Sequence, residues 1–290
     1  MAAVAAASVA LLALASCATW APAPGLIERR QPWILPGSGA DTPPALTLHW
    51  TGPTVPAAGL VWLQHGFTRR CEHLTGTRRH LARAGLWVLC VDSPDATGRA
   101  GVAETLAQAL ADGTLPLPSG VAPQARIVVG GHSAGAQFAA RAGRHLAQVT
   151  PGRLAGALLL DPVAGPGFAS DLAAIAAGGT RPVWAITATA GPCNRPAQTL
   201  PSLLSLSPGF AGVQLTGAST HLDAEGEDAG ALAAVACGQG APTAGHTLYL
   251  RDLSVEWALT MLMAVPGTAA PGPQTQRLLE AGRARALSPS

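Results

Sequence analysis

Seven apolar runs of five to seven residues alternate with stretches of helical periodicity, and this rhythm constrains the fold more than any single residue does. The runs are ALTLHW (45–50), LVWLQ (60–64), LWVLCVD (86–92), RIVVGG (126–131), GALLLDP (156–162), PVWAITA (182–188) and GVQLTG (212–217). Helix-like stretches at 72–84, 101–112, 134–148, 167–177 and 196–206 separate most of them, with a last one near 252–265. Strands apolar throughout must be covered on both faces, and interleaved helices are what covers them. The expectation is an α/β protein with a mostly parallel central sheet and helices on both sides. A chain of 290 residues accommodates this as one large domain. Residues 223–245 are rich in Gly and Ala and read as a long loop with one short helix, their acidic cluster forming a solvated surface.

The N-terminus reads differently. Residues 4–16 (VAAASVALLALAS) are apolar but too few to span a bilayer comfortably, as in the core of a signal peptide. They end in Leu14-Ala15-Ser16-Cys17, which resembles the lipobox of bacterial lipoproteins, where cleavage precedes a cysteine that is then lipidated. Residues 18–43 are rich in Pro, Ala and Gly and read as a tether to a folded domain spanning 44–290. The expected location is periplasmic or at the cell envelope, or secreted, with membrane association only through a lipid on Cys17.

Export permits disulfides. Of the four remaining cysteines, Cys193 and Cys237 lie in loop-like surroundings and form the favoured pair. Cys90 sits inside an apolar strand and reads as a small buried hydrophobe. No CxxC spacing marks a zinc or redox site, and no cofactor is expected. A net charge of +2 is too small to recruit nucleic acid.

The run RIVVGG leads straight into Gly131-His132-Ser133-Ala134-Gly135 and then a helical stretch. This is G-x-S-x-G between strand and helix, the context in which a sharp turn lifts a serine above a sheet as a nucleophile. The following helix directs its first N–H groups at developing negative charge. Such a serine needs a base, and the base an orienting acid, in the order Ser, acid, His. Among the later histidines, His145 lies in the helix right after the serine and His246 precedes another short apolar run, TLYL. His221 follows the last clear strand and is the candidate base. The next strand but one, PVWAITA, ends without a carboxylate, whereas GALLL ends in Asp161-Pro162, so Asp161 is the candidate acid. Asp223, two residues from His221, is the competitor and better suited to shaping the loop. Two oxyanion donors are expected, the N–H of Ala134 and that of Phe67 in His65-Gly66-Phe67, with His65 structural and the Phe67 ring in the pocket.

Together, H-G-F, G-H-S-A-G, L-D-P-V and the late T-H-L-D resemble the chlorophyllase-like branch of α/β-hydrolases. More distant likeness extends to platelet-activating-factor acetylhydrolases and cutinase-like polyester hydrolases. In the first two patterns the acid follows the strand after the nucleophile helix, which matches Asp161. The resemblance implies the α/β-hydrolase fold and ester hydrolysis, with a small-molecule ester as partner. The short stretch after Asp161 leaves little room for a large lid. An amidase, thioesterase or peptidase using the same triad, and a non-catalytic exported binding module, are the alternatives.

Overall fold

The computed structural model describes residues 25–35, 45–93, 101–194, 196–206 and 210–287. The signal segment with Cys17 and tether residues 18–24 and 36–43 lie outside them. The strands are β1 (Leu26–Ile34), β2 (Ala45–Pro53), β3 (Gly59–Gln64), β4 (Leu86–Asp92), β5 (Ile127–His132), β6 (Leu154–Leu160), β7 (Val183–Thr187), β8 (Phe210–Leu215) and β9 (Ala284–Ala286). The helices are α1 (Thr75–Arg83), α2 (Val102–Ala111), α3 (Gly135–Val149), α4 (Phe168–Ala176), α5 (Pro196–Leu204), α6 (Ala231–Ala236), α7 (Ala244–Met263) and α8 (Pro273–Glu280).

The strands form one sheet in the order β1-β2-β4-β3-β5-β6-β7-β8-β9. The six from β4 to β8 run parallel, and β1, β2 and β9 pair antiparallel at the two edges. Side chains alternate between two cores, as a two-residue period requires. Trp62, Leu89, Val129 and Leu159 face a layer closed by α2, α3 and α4. Their neighbours Leu63, Val88, Val128 and Leu158 face α7 through Leu250, Leu253 and Trp257. Edge-to-face packing of Trp62 on Phe138 and of Trp184 on Trp257 locks a helix to each face, with ring centroids 5.8 and 5.3 Å apart. This is the α/β sheet expected from the alternation, and it is consistent with an α/β-hydrolase-like fold.

Three features differ from the sequence reading. Residues 26–34 do not belong to a tether: they form β1, in a nine-residue register with β2 from Leu26↔Pro53 to Ile34↔Ala45. Only one flank of this strand meets the core, through Ile27 and Trp33, so its sequence lacks an apolar run. The last long helix begins at Ala244, absorbing TLYL, because the Thr243 hydroxyl caps it by accepting from the His246 N–H at 3.2 Å. Finally, Cys90 is buried as expected but is not a free thiol. It bonds to Cys71 across 19 residues, tying the turn after β3 to β4.

The favoured Cys193–Cys237 pair is present as a second disulfide, spanning 44 residues. Two disulfides point to an oxidising, extracytoplasmic location. Among the described residues no helix is long and apolar enough to cross a membrane.

Loop-closure entropy makes the two cross-links unequal. Paired Cys→Ala replacement is expected to cost about 3 kcal/mol at Cys71–Cys90 and about 4 kcal/mol at Cys193–Cys237. Urea unfolding monitored by tryptophan fluorescence checks this, the second pair giving the lower midpoint.

Candidate active site

The site gathers where β3, β5 and β6 end side by side. Ser133 follows β5 directly and has φ +56°, a left-handed backbone that a serine adopts only when held there. Three backbone bonds hold it. Its N–H donates to Leu160 at 3.1 Å, and its carbonyl accepts from Ala136 and Val163 at the same distance. The motif's glycines are required by close approach. A Cβ on Gly131 would lie 2.3 Å from the Gly135 backbone, and one on Gly135 would lie 2.3 Å from the His65 carbonyl oxygen. Gly66 passes so near that a Cβ there would come within 3.0 Å of the Ser133 Cβ. The turn Gly66–Phe67 therefore lies directly against the serine. Among the described residues, neither the Phe67 nor the Ala134 backbone N–H has a hydrogen-bond acceptor. The Phe67 ring is 64% exposed, so it forms an open rim rather than the wall of a closed pocket.

Asp161 ends β6, also with positive φ, at 43°. Its Oδ2 meets His221 Nδ1 at 2.6 Å, and both residues are buried. Its Oδ1 accepts from the Ala188 N–H at 3.0 Å and the Asn194 amide at 3.4 Å, fixing the carboxylate plane. A carboxylate only accepts, so Nδ1 of His221 carries the proton and Nε2 keeps the basic lone pair.

His221 opens a 3-10 turn after β8, capped by the Thr220 hydroxyl. Its own N–H donates to Gln239 Oε1 at 2.9 Å. Asn194 adjoins Cys193 and Gln239 lies two residues beyond Cys237, so the second disulfide joins the segment steadying Asp161 to the one steadying His221.

Ser133, Asp161 and His221 thus come from the ends of β5 and β6 and the turn after β8, with the candidate acid and the candidate base in direct contact. The other candidates are occupied elsewhere. Asp223 accepts from the Thr220 N–H and the Ser219 hydroxyl, both at 2.9 Å, and shapes the turn. His145 bonds Gln108, and His246 bonds Thr243 and the Thr216 carbonyl. His65 donates from Nδ1 to the Gly66 carbonyl at 2.9 Å. Its pKa is lowered by burial, so it serves as a neutral structural group. Among the described residues the one grouping with metal-ligand spacing is His49, Cys71 and Asp92, and its sulfur is committed to a disulfide.

Sequence reasoning missed a buried polar layer beneath the base. Glu225, placed by composition on a solvated surface, is 1% exposed. It forms a two-pronged ion pair with Arg69, with the Nε–Oε1 bond at 2.8 Å and a second, shorter contact through Nη2. His132, inside the G-x-S-x-G motif, lies between this carboxylate and the base. Its Nε2 donates to the His221 carbonyl at 2.8 Å, and its Nδ1 is 3.5 Å from Glu225 Oε1. The rings of His132 and His221 are 4.7 Å apart. Short polar spacing, T-H-L-D-A-E, was the only signal available, and it resembles any exposed turn.

Compared with protein-family models and with curated proteins, the sequence matches none. The geometry must speak for the site.

Burial, with the nearby His221 charge, pushes the His132 imidazole down to about 4, against the opposing pull of Glu225. A histidine in the unfolded chain titrates near ~6.5. Between these values the unfolded chain takes up a proton that the folded one refuses, so stability falls as pH drops from about 6.5 to about 4. The expected loss from this group approaches about 3 kcal/mol. Urea midpoints for wild type and His132→Gln from pH 7 to 4.5 check it, the variant showing the shallower decline.

Proposed function

We propose that the protein is a serine hydrolase that cleaves carboxylic esters, with Ser133 as nucleophile, His221 as general base and acid, and Asp161 as the orienting carboxylate. The observation that carries this reading is the buried 2.6 Å Asp161–His221 contact, set at the same end of the parallel strands as a serine in left-handed conformation. An inert serine in a strand-to-helix turn has no need of either feature.

In the proposed reaction the Ser133 hydroxyl adds to the ester carbonyl while its proton moves to His221 Nε2. The imidazolium is stabilised by Asp161, whose second oxygen is already saturated by Ala188 and Asn194. Negative charge on the carbonyl oxygen is met by the N–H groups of Ala134 and Phe67, which have no other acceptor among the described residues. His221 then returns the proton to the departing alkoxide, leaving an acyl-serine. Water adds to this ester as His221 takes its proton, and collapse of the second intermediate frees the acid and restores Ser133. The steps draw on three side chains, two backbone N–H groups and water.

The resemblance to chlorophyllase-like α/β-hydrolases, carried by H-G-F, G-H-S-A-G and L-D-P-V, supports ester bonds as the substrate class. The exposed Phe67 ring favours small or surface-presented esters over deeply enclosed lipids. Export is supported by the disulfides, with Cys17 as the proposed lipid attachment point.

Hydrolysis of short-chain p-nitrophenyl esters by residues 18–290 tests the proposal. Ser133→Ala, His221→Ala and Asp161→Asn are each expected to lower turnover by ~10⁴-fold. Wild-type activity no higher than that of Ser133→Ala, with no labelling of Ser133 by a fluorophosphonate, would overturn it.

A further inference from the structure

One carboxylate beside the site links its own turn to two segments distant in sequence. Glu225 sits on the turn carrying His221, pairs with Arg69 of the turn after β3, and faces His132 at the end of β5. Arg69 is itself anchored, its N–H donating to the Gly66 carbonyl at 3.2 Å, so its position is that of the turn against Ser133. His132 completes the circuit by holding the His221 backbone carbonyl at 2.8 Å. Only 1% of Glu225 and 18% of the Arg69 side chain meet solvent, so the pair is weakly screened. We propose that the buried Arg69–Glu225 ion pair is a clasp that joins the base, nucleophile and oxyanion loops and sets both the placement and the charge environment of His221. Both are positioning residues acting through the turn that carries His221 and the Gly66–Phe67 turn, and the inference rests on the esterase reading for its effect on rate.

The charges around His221 make the idea testable by sign. Asp161 faces the ring from the end of β6, and the neutral His132 from the end of β5. Asp223 on its own turn is saturated by Ser219 and Thr220, with His246 of α7 beyond it. Glu227 and Arg251 pair with each other farther out. The Arg69–Glu225 pair therefore supplies two opposite charges that cancel at the base only while both are present. Glu225→Gln leaves the Arg69 cation unbalanced, which disfavours the imidazolium. Arg69→Met leaves the Glu225 anion unbalanced, which favours it. Removal of a group that merely fills space would not reverse sign between the two.

The experiment is a histidine NMR titration of His221, assigned with His221→Gln, in wild type, Glu225→Gln, Arg69→Met and the double variant, alongside pH profiles of kcat/KM on a p-nitrophenyl ester. The His221 midpoint and the acidic limb of activity are expected to move down in Glu225→Gln and up in Arg69→Met, each by about half a pH unit. They should return to the wild-type position in the double variant. All three variants should lose about tenfold in kcat with KM little changed, because the loops are no longer tied. Shifts in the same direction, or none, overturn the proposal. Should a single variant fail to fold, the double variant, which leaves no lone buried charge, decides: wild-type kcat overturns the clasp, and reduced kcat with an unmoved His221 midpoint supports it. Opposite midpoint shifts in a protein that hydrolyses no ester would uphold the clasp while rejecting the esterase reading.

Discussion

Parallel pairing of β5 with β3 on one side and β6 on the other is the constraint from which the site follows. Parallel strands that share a register end together, so the turn at Gly66, the turn at Ser133 and the carboxylate of Asp161 emerge at the same end of the strands. The ladder continues past the strand ends. The Ser133 N–H still bonds Leu160, and the Asp161 N–H still bonds Ile186 at 2.7 Å. Both residues therefore take positive φ while their backbones remain tethered to the next strand. Backbone strain of about 1–3 kcal/mol per residue is sustained because the surrounding sheet over-determines it.

The chemistry of the site is arranged around the buried contact between Asp161 and His221. Gly66 is buried against Ser133, and Phe67 beside it lies on the surface. The carboxylate of Asp161 has both oxygens assigned to named partners, and the His221 imidazole commits its Nδ1 to that carboxylate. Joined to the turn that carries His221 is the part-buried pair of Arg69 and Glu225, a charge pair of the kind that contributes little net stability. Such a pair is better understood as fixing geometry than as strengthening the fold. The Cys193–Cys237 bond acts from the other flank, through Asn194 and Gln239, so His221 is restrained from two directions by chemically different means.

Much of this was legible in the residues. Strands β2 to β8 were visible because burial on both faces leaves an apolar run with no other explanation, and Ser133, Asp161 and His221 because strand ends locate them. What escaped notice shares a physical cause. β1 lies at the sheet edge and needs few apolar side chains, so Pro- and Arg-containing sequence conceals it. Cys90 has the burial of a core residue whether or not its sulfur is bonded, and its partner Cys71 is brought near only by the β3–β4 crossover. Glu225 is buried by charge pairing with a residue 156 positions away, a distance over which local sequence carries no information.

The two ends of the sheet carry a consequence for how molecules behave when crowded. A strand edge with unpaired N–H and C=O groups is a template on which another chain can add. Here β1 presents exposed Glu28, Arg29 and Arg30 along that edge, and Pro32 contributes no N–H at all. At the far end β9 is only three residues long and carries the exposed Arg285. Among the described residues neither border offers a long, flat, apolar ladder, so growth of the sheet from one molecule into the next is opposed at both ends by charge, by proline and by brevity.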